Sequence, residues 1–205
     1  MINAERIARD VVVIGGSAGG VKPAMSILER LPGTLPAFGG LVLHRSPFYE
    51  TRLPQVLGRH SPLTVVEPED GAVAQRGCFY VAPRDQHMFF EDGVVRLDRG
   101  PKQHRTRPAI DPLFLSAAAV YGPRVVGVLL SGMGADGVTG FLTIKAAGGI
   151  TLVQEPDEAQ FPTMPLRALN EDDVDAALPI DALSHVLAVL AVGESVEAPL
   201  RQTPA

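Results

Sequence analysis

Cysteine is nearly missing from this chain. Cys78 stands alone, so no disulfide can form within it. In Gly77-Cys78-Phe79-Tyr80-Val81 a small buried side chain on a strand fits better than a reactive thiol. Tryptophan is absent and aromatics make up only 5% of residues, which leaves the core to Val, Leu, Ala and Ile. Positive charge is not in excess: 18 Lys and Arg against 23 Asp and Glu give a net charge of −5. That argues against a general nucleic-acid binder, whose affinity comes from neutralising phosphates. A local patch can still oppose the net sign. Arg96, Arg99, Lys102, Arg105 and Arg107 cluster in one stretch, which reads first as a solvated loop and otherwise as a surface for an acidic partner. No apolar run reaches the roughly 18 residues of a membrane span, and no N-terminal apolar stretch leads to a cleavage site. The expectation is a cytoplasmic protein without membrane insertion.

What is present suits an α/β domain. The 205 residues are 46% hydrophobic, with 21 Gly and 18 Pro for many short connections. Apolar strand-like runs alternate with helical patterns. Strands are expected at Val11–Ile14, Leu41–Leu43, Leu63–Glu67, Phe79–Ala82, Val125–Leu130 and Ile150–Gln154. Helices are expected at 21–31, 48–59, 111–121, 136–147, 165–169 and 180–192, with Asp111 capping the third and Pro112 at its first position. Met88–Phe90 and Val94–Leu97 flank Glu91-Asp92-Gly93, a hairpin signal because Asp-Gly tolerates positive φ. Successive βαβ units imply a mostly parallel, doubly wound sheet with helices on both faces, plus the antiparallel hairpin. Residues 1–193 read as one domain and 194–205 as a disordered tail.

The first strand runs into Gly15-Gly16-Ser17-Ala18-Gly19-Gly20. The dinucleotide fingerprint needs glycines at i, i+2 and i+5, and no start position supplies them. The second strand also ends in His44 where a ribose-binding acid would stand. A phosphate-binding loop needs Gly-Lys-Ser/Thr, and Val21 follows Gly20 instead. Gly15 to Gly19 does fit Gly-x-Ser-x-Gly, the sharp strand-to-helix turn that lifts a serine oxygen out of the sheet. The helix N-terminus beyond it directs N–H groups and a positive dipole end toward a developing oxyanion, with Ala18 N–H the natural first donor. A Gly-rich turn with an inert, helix-capping serine remains the alternative.

An active serine needs a base, and the base an orienting acid. In a parallel sheet both should come from C-terminal strand ends near a topological switch point. His44 follows Leu41-Val42-Leu43 directly. Asp136 follows Val128-Leu129-Leu130-Ser131-Gly132-Met133-Gly134-Ala135, and by itself would read as an acid at a helix start. Three strand ends that supply Ser, His and Asp are a far less probable accident than any one. Their order, Ser then His then Asp, differs from the Ser-Asp-His order of α/β-hydrolases and implies a separate fold with convergent chemistry.

From about Val11 to Val192 the sequence resembles the catalytic domain of the chemotaxis receptor methylesterase CheB. The resemblance is carried by Val13 to Gly20, Leu43-His44-Arg45-Ser46-Pro47, Tyr80 to Met88, Arg107 to Phe114, Leu130 to Gly137, and Met164-Pro165. It implies that Ser17 is the nucleophile, His44 the general base and Asp136 the orienting acid. It puts Met133 near the oxyanion and His87 in a structural or substrate-facing role. Two departures stand out. The family commonly has threonine after the serine, where this chain has Ala18. Its well-known members carry an N-terminal receiver domain, whereas only ten residues precede the first strand here, which suggests either an excised domain or a stand-alone member regulated differently.

The function so implied is hydrolysis of glutamyl methyl esters on chemotaxis receptors, and glutamine deamidation through the same acyl-enzyme, in chemotactic signalling and adaptation. Ala18 N–H and a donor near Met133 would bind the oxyanion, and Arg45 would help hold the substrate surface. No metal or organic cofactor is required. The expected partners are receptor cytoplasmic helices and a separate receiver-domain regulator. The alternatives are a non-catalytic CheB-like signalling module and an esterase for small acyl substrates.

Overall fold

The computed structural model describes residues 7–49, 51–171 and 174–195. Its centre is a seven-stranded parallel sheet in the order β10-β9-β8-β1-β2-β5-β3. In chain order these strands are β1 (Val11–Gly16), β2 (Phe38–Leu43), β3 (Thr64–Val66), β5 (Cys78–Val81), β8 (Val125–Leu129), β9 (Ile150–Gln154) and β10 (Ala176–Leu178). β1, β2, β5 and β8 are buried along their whole length. That is why they read as continuous apolar runs: a parallel sheet is covered on both faces. Alternate residues then serve opposite cores. Val12, Ile14, Leu41 and Val128 pack under α1 (Val21–Arg30), α2 (Leu53–Leu57) and α6 (Ile180–Ala191). Val11, Val13, Val42 and Leu129 pack under α3 (Ile110–Tyr121), α4 (Val138–Ala146) and α5 (Thr163–Glu171).

A second, antiparallel sheet has the order β4-β7-β6. β6 (His87–Glu91) and β7 (Val94–Asp98) form the expected hairpin, and β4 (Ala72–Val73) adds to its edge. Asp92 (φ 40°) and Gly93 (φ 83°) make the tight turn.

Several expectations need correction. β2 starts at Phe38, three residues before the apolar run, because Gly39 sits where a Cβ would lie 2.4 Å from the Phe79 ring and 2.5 Å from Val12 O. The pleat there has no room for a side chain, so β-propensity is silent. The helix expected over 48–59 shrinks to Leu53–Leu57, since Pro54 is tolerated only in a first turn, and Phe48 and Tyr49 stay exposed. α4 begins at Val138 rather than Asp136, with Gly137 (φ 97°) at its N-cap. Asp111 does not cap α3; Ala109 holds that position without a side-chain hydrogen bond, and Asp111 is buried in the first turn. β4 and β10 were not expected from the pattern. Of the proposed tail, 196–205 lie outside the described residues.

The chain passes outward from β1 to β2 and on to β3 at the edge, fills the gap between β2 and β3 with β5, then returns to β8 on the other side of β1. The switch point therefore falls at the C-terminal ends of β8, β1 and β2, the place where open α/β sheets leave a crevice.

Candidate active site

Ser17 is the first residue after β1, His44 the first after β2, and Asp136 lies on the loop that leaves β8. The switch point brings all three together. The Ser17 hydroxyl lies 3.2 Å from His44 Nδ1, and His44 Nε2 lies 2.7 Å from Asp136 Oδ2. Asp136 can only accept, so Nε2 carries the proton and Nδ1 is free to take one from Ser17. The His44 side chain is 13% exposed and that of Asp136 only 2%. The serine end of this relay thus meets solvent while the acid end stays dry. Ser17 does not cap α1, whose N-cap is Gly20 without a side-chain bond.

Asp136 is fixed from behind by backbone. Ile110 N–H donates to its Oδ2 (2.7 Å) and Asp111 N–H to its Oδ1 (3.0 Å). Both donors come from the first turn of α3, where free N–H groups and the positive dipole end suit a carboxylate. Asp111 Oδ1 accepts from Gly137 N–H and Gly140 N–H, and its Oδ2 lies 2.9 Å from His104 Nε2. Burial pushes the Asp111 carboxyl above the usual range, and the neighbouring Asp136 charge adds to this.

The turn after Ser17 is held by the β8 loop. Ser17 N–H donates to Ser131 O, Ser131 Oγ donates to Ala18 O, and Gly132 N–H donates to Phe161 O. Gly132 passes so close to Ser17 that a Cβ on it would lie 2.9 Å from the Ser17 Cβ. Ser17 and Gly132 N–H are therefore committed, while Ala18 and Met133 N–H donate to no protein acceptor among the described residues. Met133 is 56% exposed beside them.

An open cleft of about 350 Å³ adjoins the serine, lined by Ala18, His44, Arg45, Ser46, Pro47, Lys102, Arg105, Thr106 and Arg107. Arg45 is on its wall, but its guanidinium donates to Glu67, Ala82 O and Thr51. Arg107 donates to Asp85 and holds that carboxyl below the usual range. Arg96 turns away to Asp70 and Glu91. The basic stretch is thus not one patch, and only its second half reaches the cleft. His87 is 1% exposed, with Nε2 3.0 Å from Pro101 O and Nδ1 accepting from Ala109 N–H. It holds the segment that frames the cleft.

Thr106 carries no sequence signal, yet its Oγ1 donates to Pro108 O and lies 3.4 Å from His44 Nε2. His104 carries none either, and Asp111 has the local pattern of a cap. No spacing rule marks them, because Asp111 meets the Asp136 loop only through the crossing of α3 over the sheet.

The CheB methylesterase family model matches residues 12–187. The chain belongs to the CheB methylesterase family. It is 38% identical over 184 residues to a protein-glutamate methylesterase/protein-glutamine glutaminase of Pyrococcus abyssi, covering 88% of this chain and 50% of that protein. A second such protein, from Anaeromyxobacter dehalogenans, is 39% identical over 183 residues, covering 89% of this chain and 54% of that one. The chain thus spans about half the length of these curated relatives. The crystal structure of the Thermotoga maritima CheB methylesterase catalytic domain superposes with a TM-score of 0.84 at 34% identity, covering 88% of this chain and 98% of that one. Among the described residues of this CheB-family chain, no helix is long and apolar enough to cross a membrane.

Proposed function

We propose that the chain is a serine hydrolase that removes methyl esters from glutamyl side chains of chemotaxis receptors, and that it deamidates glutamine side chains by the same route. The observation that carries this reading is the hydrogen-bonded series Ser17–His44–Asp136 at the sheet's switch point. Ser17 Oγ attacks the ester carbonyl while His44 Nδ1 takes its proton. Asp136 holds the ring in the required tautomer and stabilises the imidazolium. Ala18 and Met133 N–H receive the oxyanion. The intermediate collapses as His44 gives the proton to the leaving oxygen, which departs as methanol, or to the leaving amide nitrogen, which departs as ammonia. Water, deprotonated by His44, then hydrolyses the acyl-enzyme and leaves a glutamate carboxylate and free Ser17.

Ala18 takes part through its backbone, so the missing threonine hydroxyl does not remove the donor. Arg45 serves as an anchor between the ends of β2 and β3 rather than as a substrate ligand, since both Nη groups are engaged by Thr51, Glu67 and Ala82 O and the Nε without a partner is buried. An open cleft at the low end of ligand-pocket volumes favours a side chain presented on a protein surface over an enclosed small ester. Receptor cytoplasmic helices are the expected partner, which places the reaction on the cytoplasmic side, and a receiver-domain protein is the expected regulator.

The test is methanol release from a methylated receptor fragment by wild type and Ser17→Ala, with fluorophosphonate labelling in parallel. Ser17→Ala is expected to lose about 10⁴-fold in rate and all labelling. Equal turnover by the two proteins would end this reading, and an unlabelled wild type would favour the non-catalytic module.

A further inference from the structure

Residues 103–106 form a two-residue hairpin beside the triad. Gln103 N–H donates to Thr106 O (3.2 Å) and Thr106 N–H to Gln103 O (2.8 Å). The central residues, His104 (φ 48°) and Arg105 (φ 65°), both occupy the left-handed region. Such turns favour Asn-Gly, because most other side chains are strained there. Strain of this kind persists only where the surroundings enforce it, and it concentrates at functional sites.

The surroundings enforce it from below. His104 Nε2 reaches the buried Asp111 carboxylate at 2.9 Å. Arg107 Nη1 donates to Arg99 O and Gly100 O, and its Nε to Asp85. His87 meets Pro101 O. With the underside pinned, Lys102 and Arg105 are exposed and line the cleft beside Ala18 and His44. The acids around the cleft are already engaged: Glu67 with Arg45, Asp85 with Arg107, Asp111 with His104 and Asp136 with His44. Among the described residues no salt bridge neutralises Lys102 or Arg105. The cleft mouth is therefore cationic on a chain of net charge −5.

A metal is a weaker account of this cluster. His104, Asp111 and Asp136 bring ligand atoms within 4.8 Å of one another. Yet each carboxylate oxygen already takes an N–H: Asp136 from Ile110, His44 and Asp111, and Asp111 from Gly137, Gly140 and His104.

We propose that Lys102 and Arg105 form a carboxylate-binding subsite at the mouth of the cleft, held in place by the His104–Asp111 latch, which grips acidic side chains flanking the reacting ester on an acidic peptide segment. The proposal rests on the reading of Ser17 as an esterase nucleophile acting on a protein. Lys102 and Arg105 touch substrate; His104 is a positioning residue that acts through the turn.

The test compares wild type, Lys102→Ala/Arg105→Ala, His104→Ala and His104→Gln on a methylated receptor cytoplasmic fragment at low and high NaCl. A neutral fluorophosphonate reports independently whether Ser17 is still activated. For the double variant KM should rise about tenfold at low salt with little change in kcat, and the salt dependence of kcat/KM should flatten, as for rim charges that steer binding. His104→Ala should raise KM in the same direction, and His104→Gln, which can still donate to Asp111, should restore it. Unchanged KM and salt dependence in an active, labelled double variant would overturn the subsite. A fall in kcat and labelling without a rise in KM would also overturn it, since the strap would then serve the triad. A wild type that is labelled but releases no methanol would overturn the esterase reading and the subsite with it.

Discussion

Asp136→Asn is the sharpest probe of the site, because one atom exchange affects activity and stability through different contacts. The Asp136 carboxylate accepts three hydrogen bonds: two at Oδ2, from His44 Nε2–H and Ile110 N–H, and one at Oδ1, from Asp111 N–H. An asparagine has one acceptor oxygen. Placed at the Oδ2 position, that oxygen keeps His44 and Ile110 but turns an NH₂ group against Asp111 N–H. Placed at Oδ1, it sets the NH₂ against Ile110 N–H and forces His44 to present an unprotonated Nε2, so that Nδ1 no longer accepts from Ser17. A buried donor left unsatisfied costs about 1–3 kcal/mol. Removing the charge relieves its repulsion of Asp111, which offsets part of that cost. The lost contacts should win, because Asp111 keeps the Gly137 and Gly140 N–H groups as its own compensation. A net destabilisation of about 1–2 kcal/mol is expected in urea denaturation. The effect on rate is larger, since the imidazolium loses its counter-charge and the favoured tautomer is no longer enforced. The corresponding exchange in a serine protease costs about 10⁴-fold in kcat, and a loss of about 10³- to 10⁴-fold is expected here for methanol release. Less than a tenfold loss in a folded variant would refute Asp136 as the orienting acid. A large loss of activity with no change in stability would refute the hydrogen-bond accounting.

Two further predictions concern the frame. Gly140→Ala would place a Cβ 2.4 Å from the Phe114 Cβ, where α4 crosses α3. Overpacking of about 1–3 kcal/mol should outweigh the helix-propensity gain of about 1 kcal/mol, because a Cβ cannot move without its helix. The urea midpoint should fall, and a rise would contradict the packing described. The Tyr80 hydroxyl, which donates to Val73 O and accepts from Gln75 N–H, is pushed up to about 12, chiefly by burial. A raised acid favours the folded state's neutral form. Stability is therefore complete below the ordinary tyrosine range near 10 and is lost as pH rises toward about 12. Burial also pushes Tyr121 up, so absorbance at 295 nm should show a late ionisation whose amplitude Tyr80→Phe reduces, and an unchanged amplitude in that variant would assign the step elsewhere.

The apolar runs of β1, β2 and β8 are legible in the sequence because a doubly covered parallel sheet leaves no polar face to interrupt them. The serine elbow, His44 and Asp136 are legible because each directly follows such a run or its glycine turn, where local chain geometry decides exposure. Gly39 hides the start of β2, since its role depends on Phe79 and Val12 O, which are distant in sequence or on another strand. Local signals even mislead at Asp111. It sits before a helical pattern and beside a proline as a capping residue would, yet it is buried as the link between α3, α4 and the 103–106 turn.

Sequence alone thus determined the sheet class and the strand-end positions of Ser17, His44 and Asp136, which the fold brings into one hydrogen-bonded series, because these positions depend on periodicity and on turns a few residues long. Tertiary structure decided which groups stand behind and in front of them: the α3 amides on Asp136, the His104 latch, and the division of one basic stretch into Arg96 and Arg107, which pair with acids, and Lys102 and Arg105, which line the cleft with no salt bridge among the described residues. Those depend on which segments cross in space, and no pattern within a single segment encodes a contact that another segment must complete.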